Sequence, residues 1–103
     1  MITYIKKNII ERTAEKTGLD NKLTAKVVNA VFSSLRELMT EGNPECRIEI
    51  RNFGVFEVKR TKAKPKARNP KKPDEVIYIP PRRKTHFRPG KLLKSYLKQE
   101  LKG

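Results

Sequence analysis

A chain of 103 residues is long enough for one core and too short for two. With 25 Lys and Arg against 11 Asp and Glu, a formal charge of +14 and no apolar run near the roughly 20 residues of a membrane span, composition argues against a spanning segment and for a polyanionic partner, either nucleic acid or an anionic surface. The single cysteine, Cys46, excludes an intrachain disulfide and has no second Cys nearby for a metal site, so it is read as a small buried apolar residue.

From Met1 to Lys7 the chain meets charge before an apolar stretch develops, so no signal peptide is expected and the expected location is the cytoplasm or the nucleoid. Thr3 is placed to cap a first helix in which Ile5, Ile9, Ile10 and Ala14 share a face, and Gly18 supplies its stop. Leu19-Asp20 opens a longer helix with Asp20 as its cap and Gly42 just past its end. Its apolar residues are Leu23, Val27, Val28, Val31, Phe32, Leu35, Leu38 and Met39, a stripe wider than one neighbouring helix requires, and burial on two sides is expected. Asn43-Pro44 turns the chain. Cys46, Ile48 and Ile50 then alternate with Arg47, Glu49 and Arg51, the pattern of a half-buried strand. Asn52-Phe53-Gly54 turns it again into Val55-Phe56-Glu57-Val58, where Phe56 and Val58 face inward near Phe53 and Glu57 faces solvent.

The charge is segregated: residues 59 to 94 hold fourteen Lys and Arg against only Asp74 and Glu75. Arg60, Lys62, Lys64, Lys66 and Arg68 recur at every second position. In an unbroken strand they form one row of positive charge spaced roughly 6 to 7 Å, with the small Thr61, Ala63, Pro65 and Ala67 on the other side. Asn69-Pro70 marks a tip, and Val76-Ile77-Tyr78-Ile79 is β-favouring and returns. The result is a two-stranded ribbon, marginal by itself and expected to be mobile until a polyanion lies against it. Arg83 to Arg88 forms a third strand with Phe87 inside and the sole histidine, His86, on the open face. Pro89-Gly90 opens a short last helix whose apolar side is Leu93, Tyr96, Leu97 and Leu101. The fold class is α+β.

Catalysis has little to stand on, because there is no glycine-rich phosphate loop and no metal-ligand spacing, and Asp74 and Glu75 are adjacent on an extended segment and point opposite ways. Binding has more. Cations on a ribbon meet phosphates and release counterions, and a rigid Pro70 at the tip could enter between base pairs and kink a duplex, or could simply shape the turn. Outside the ribbon, roughly 75 residues barely suffice for one core, so a partner is expected to complete it.

Arg68-Asn69-Pro70, Asn52-Phe53-Gly54-Val55-Phe56-Glu57-Val58 and Phe87-Arg88-Pro89-Gly90-Lys91, together with Ala14-Glu15-Lys16-Thr17-Gly18-Leu19 and Ala30-Val31-Phe32, closely resemble the HU and integration host factor family of bacterial DNA-bending proteins over nearly the whole chain. The resemblance implies a non-enzymatic architectural protein of the nucleoid, with no cofactor, small-molecule substrate or membrane, whose partner is double-stranded DNA. It implies an intertwined dimer, either of identical chains or with a close paralogue. In it a helical base lies beneath a three-stranded antiparallel sheet, and two ribbon arms clasp the minor groove. One domain, 1–103, would comprise a helical dimerisation part with the first strands (1–58), the arm (59–84) and the last strand with the C-terminal helix (85–103). Carried over from the family, Pro70 is the intercalating wedge and Arg68 and Asn69 line the groove beside it. Arg60, Lys62, Lys64, Lys66, Lys71 and Lys72 contact the backbone along the arm, Arg82, Arg83 and Lys84 do so at its base, and Arg88 and Lys91 reach the flank, with Lys6 close by. The dimer core would draw on Val28, Val31, Phe32, Leu35, Phe53, Phe56 and Phe87.

Two alternatives stay open. Arg47-Ile48-Glu49-Ile50-Arg51 and His86-Phe87 are similar to the site-specific integration host factor branch. An RNA-binding protein is allowed by charge but lacks paired exposed aromatics for stacking. The family commonly has a glycine soon after the tip proline; here Lys71-Lys72-Pro73 stands there, so the turn is expected to take another shape.

Overall fold

The computed structural model describes residues 1–99 and 101, apart from the side chains of Pro65 and Ala67, and the chain divides into two compact units, Met1–Thr40 and Glu41–Gly103. The first unit is helical. α1 runs Lys6–Thr17 and α2 runs Asn21–Glu41. Thr3 does not cap α1. Asn8 in the first turn reaches back instead, its Oδ1 accepting the Ile5 N–H at 2.8 Å while its own N–H donates to the Ile5 carbonyl at 2.9 Å, so the helix starts two residues later than a Thr3 cap requires. Gly18 ends α1 in the left-handed region, φ 73°, and donates its N–H to the Ala14 carbonyl at 2.9 Å, as the glycine stop anticipates. Asp20 caps α2 as expected: its Oδ1 accepts the Leu23 N–H at 2.7 Å. No glycine or proline interrupts the next 21 residues.

Ala14, Thr24 and Val28 are buried in this unit, and the Thr24 hydroxyl is satisfied by the Asp20 carbonyl at 2.7 Å. Another side of α2 is left open. Leu23, Val27, Val31, Phe32 and Leu38 are each more than two-fifths exposed. Val27, Ala30, Val31, Ser34, Leu35 and Leu38 line a hollow of about 400 Å³ there, so the stripe is apolar on two sides but covered on one.

The second unit holds two antiparallel sheets. β1 (Cys46–Ile50), β2 (Gly54–Arg60) and β5 (Arg83–Pro89) form one in the order β1-β2-β5, and β3 (Lys64–Asn69) pairs with β4 (Lys72–Ile79) in the other. In β1, Cys46, Ile48 and Ile50 turn to the covered face and Arg47 and Glu49 away from it, with Cys46 half-buried rather than buried. Register sets Ile48 opposite Phe56 and Phe56 opposite Phe87, so the aromatic side chains meet: ring centres are 4.9 Å apart for Phe56–Phe87, 5.3 Å for Phe53–Phe87 and 6.5 Å for Phe53–Phe56. Phe53 and Phe87 still keep two-fifths of their surface exposed. Gly54 is required where it stands, because a Cβ there would lie 2.6 Å from the Arg88 carbonyl oxygen and 2.7 Å from the Phe87 ring.

Glu57 does not face solvent. Alternation puts it on the side opposite Phe56, but it lies in the middle strand between Arg47 and His86, and the side chains of its neighbours leave it 6% exposed. α3 (Lys91–Leu97) is shorter than its apolar pattern suggests. It ends before Leu101, and Lys91, Lys94 and Lys98 recur along it at spacings that add like-charge repulsion with each turn.

Candidate nucleic-acid interface

The ribbon is a separate sheet, as the sequence implies, but its cations do not form one row. β2 ends at Arg60, residues 61–63 are not in a strand, and only at Lys64 does pairing resume. Within the ribbon Lys64 lies opposite Ile79 and Ala67 opposite Ile77, so three steps along β3 match two along β4. Such a bulge reverses the alternation. Lys64 therefore shares a side with Ile79, whereas Arg68, opposite Val76, shares the other. The regular spacing of Arg60, Lys62, Lys64, Lys66 and Arg68 becomes a ribbon charged on both sides, and all five residues are exposed.

At the tip Asn69 pairs with Lys72, leaving Pro70 and Lys71 as a two-residue turn. Tight hairpins usually need a left-handed residue there, yet among the described residues the only non-glycine at positive φ is Asn52. Asn69 supplies the substitute. Its Oδ1 accepts the Lys71 N–H at 3.0 Å, and its Nδ2 donates to Glu75 Oε2 at 3.3 Å, which fixes both arms of the turn from one side chain. Pro70, Lys71 and Lys72 are left exposed at the end, while Asn69 is half-buried. The expectation of a turn of another shape, without glycine, thus has a specific mechanism.

The foot of the ribbon is tied by Thr61 and Arg82. The Thr61 N–H donates to the Arg82 carbonyl at 2.7 Å, and the Arg82 N–H donates to Thr61 Oγ1 at 3.0 Å. The Arg60 N–H donates to Glu45 Oε2 at 3.1 Å. Below it, register sets Lys59 opposite Lys84, Glu57 opposite His86 and Arg47, and Val55 opposite Arg88. One face of the three-stranded sheet therefore carries Arg47, Lys59, Lys84, His86 and Arg88, the other the phenylalanine cluster. Lys84 and Arg88 were anticipated; Arg47 and Lys59 were not, because what brings them to the same place is pairing across three strands. Lys91 is the first residue of α3, and the Gly90 N–H before it donates to the Phe53 carbonyl at 2.8 Å.

Glu57 is the electrostatic centre of that face. Arg88 Nη2 lies 2.6 Å from its Oε1, Lys59 Nζ 3.3 Å from its Oε2 and Arg47 Nη2 3.9 Å from its Oε1. Burial pushes the Glu57 carboxyl up, but the Lys59 hydrogen bond and the charges of Arg88, Lys59 and Arg47 outweigh it and hold the group below its ordinary value. A carboxyl lowered by folding stabilises the fold above its unfolded value of about 4.3 and loses that contribution as pH falls through the lower, folded value. Thermal melts followed down through this acid range should fall more steeply for the wild type than for Glu57→Gln. Parallel curves would mean that the three cations do not act on this carboxylate.

Known proteins match both the sequence and this arrangement. The model of a family described as bacterial DNA-binding protein matches residues 4–98. An integration host factor subunit alpha from Myxococcus xanthus is 41% identical over 95 residues, covering 92% of this chain and 70% of that protein. A DNA-binding protein HU from Geobacillus stearothermophilus is 39% identical over 93 residues, covering 90% of this chain and 98% of that one. Among solved structures, the HU of an Anabaena HU–DNA cocrystal superposes with a TM-score of 0.81 at 28% identity, over 94% of this chain and 100% of that chain. With its helical hairpin, its three-stranded sheet and a charged ribbon standing apart from it, this chain belongs to the bacterial DNA-binding protein family of HU and the integration host factor subunits, which are non-enzymatic architectural proteins.

Proposed function

We propose that this protein is a dimeric architectural component of the nucleoid that grips the minor groove of duplex DNA between two ribbon arms and bends it by inserting Pro70. The observation that carries the reading is the ribbon itself. It is a two-stranded sheet, cationic on both sides, whose far end is a proline held up by Asn69. Bonding of this kind suits a groove with phosphate walls on either side, and the wedge is the family's own mechanism of kinking a duplex. Pro70 fits the role because its ring is rigid and it has no N–H to leave unsatisfied between bases. Arg68 and Asn69 line the groove beside it, and Lys62, Lys64, Lys66, Lys71 and Lys72 follow the backbone. The sheet face with Lys84 and Arg88, joined by Arg47 and Lys59, forms the seat beneath the duplex, with Lys91 at its flank. The Anabaena relative bound to DNA in its crystal supports DNA as the partner.

What the single chain leaves uncovered supports a dimer. Among the described residues the buried hydrophobic ones are Ala14, Val28 and Val58 alone, whereas Val31, Phe32, Phe53 and Phe87 are each 40% exposed or more. A second copy, or a close paralogue, supplies the missing cover.

The test is a duplex labelled at both ends, titrated with wild type and with Pro70→Ala. Wild type should bring the ends together and raise energy transfer, and structured RNA should compete poorly at the same salt. Pro70→Ala should lose more of the transfer than of the affinity. Equal bending by the variant would remove the wedge, and a preference for RNA would overturn the architectural reading.

A further inference from the structure

Close to its tip the ribbon departs from regular pairing a second time. From the Arg68–Val76 pair to the Asn69–Lys72 pair the chain takes one step along β3 and four along β4. Had the pairing run on regularly, Asn69 would face Glu75. Instead Pro73, Asp74 and Glu75 are surplus on one strand, and Pro73 has no N–H to give to a ladder. What spans the irregularity is a side-chain bond, donated by Asn69 Nδ2 to Glu75 Oε2 at 3.3 Å. We infer that Glu75 is a positioning residue for Pro70: acting through Asn69, it fixes the direction in which the tip presents the proline ring to the duplex. This rests on the wedge reading given above and names the residue that aims the wedge.

The chemistry of the amide makes the tie directional. Asn69 has a donor end and an acceptor end, and an ionised carboxylate only accepts. Glu75 therefore takes the NH2 end and leaves Oδ1 toward Lys71, whose N–H it accepts at 3.0 Å. That second bond spans Pro70 and sets the backbone on both sides of it. With Glu75 removed, the Lys71 N–H alone would hold the amide, on an exposed turn where water competes for both groups. The tip would then sample several directions, and ordering it on the duplex would cost conformational entropy that a preset tip does not lose. A carboxylate near the end of a cationic arm also repels phosphate, so charge alone gives it no use there. Asp74 beside it is exposed and carries the same charge, but the bond to Asn69 belongs to Glu75.

The experiment sets Glu75→Ala, Glu75→Gln and Asp74→Ala beside wild type and Pro70→Ala on the duplex labelled at both ends, reading affinity and saturating energy transfer separately. Glutamine keeps an acceptor for Asn69 and drops the charge, whereas Asp74→Ala drops an equal charge and keeps the tie. Glu75→Ala should lose saturating transfer towards the level of Pro70→Ala, with an affinity within about threefold of wild type, the size of one exposed charge interaction. Glu75→Gln and Asp74→Ala should keep wild-type transfer. In the free protein the Asn69 side-chain NH2 resonances should move in Glu75→Ala and stay in place in Asp74→Ala. Wild-type transfer by Glu75→Ala, or Asn69 resonances that do not respond to it, would overturn the inference. An equal loss in Glu75→Gln or Asp74→Ala would overturn it too, since the effect would then be one of charge. Failure of the Glu75 variants alone leaves the wedge standing; full transfer by Pro70→Ala would instead remove the wedge, and with it anything for Glu75 to aim.

Discussion

Replacing Lys62, Lys64 and Lys66 together by glutamine is expected to reduce the slope of log affinity against log salt by about 2.7, since each phosphate contact contributes about 0.9. The same relation gives about eightfold per contact at 0.1 M salt, or roughly 500-fold for the three. The loss should be nearly uniform across DNA sequences, because phosphate contacts carry no base information. All three side chains are exposed, yet they sit in different settings: Lys62 in the break between β2 and β3, Lys64 at the first ribbon pair and Lys66 inside the bulge. A bulge that sets Lys64 and Arg68 on opposite sides would let one narrow ribbon reach both walls of a groove. A single row would have served one wall. The three single variants should therefore each lower the slope by a similar amount. Affinities measured from about 50 to 200 mM salt provide the check. An unchanged slope for the triple variant would show that the arm does not touch phosphate.

That bulge was beyond the reach of the sequence, and the reason is physical. Alternation at 60, 62, 64, 66 and 68 states the period of a strand but not the register of its partner, and the extra residue carries no glycine to announce it. Asn69-Pro70 did announce a tip, because a proline between two β-favouring runs has few other places to go, whereas the role of the Asn69 side chain in replacing glycine needed the positions of Lys71 and Glu75. The stripe on α2 and the Asp20 cap were readable since both depend on residues three or four apart. Thr3 misled for the opposite reason: a good capping residue lay near a helix start, but a competing one, Asn8, reached the exposed Ile5 N–H from within. Glu57 was misassigned because its burial comes from Arg47 and Arg88 on neighbouring strands, which lie ten and 31 residues away in the chain. Local pattern reveals elements and one face of each. Which cations share a surface is decided by pairing, as for Arg47, Lys59, Lys84 and Arg88 on three strands.

Val31→Glu should dissolve the assembled protein. In the single chain Val31 is 53% exposed and lines the open hollow of α2 with Val27, Leu35 and Leu38. If the chain worked alone, a carboxylate there would sit in water, and the effect would stay within about 0.5 kcal/mol. If a second copy covers the hollow, the carboxylate is buried among aliphatic side chains with no cation provided. Twofold symmetry then places it in the interface twice, so each association desolvates two unpaired charges. A dissociation constant raised at least about a thousandfold, corresponding to about 4 kcal/mol, is the expected size. Lys26→Glu is the control, since it introduces the same group on α2 at an exposed site outside that hollow and should leave assembly intact. Sedimentation at micromolar concentration reads both, and circular dichroism should show Val31→Glu losing helix as it loses its partner, because a chain with so few buried apolar side chains has little else to hold it folded. A Val31→Glu protein that sediments like wild type, or a wild type that is a folded monomer at that concentration, would mean that α2 is not the joint between subunits. The two arms would then have no common body from which to close on one duplex.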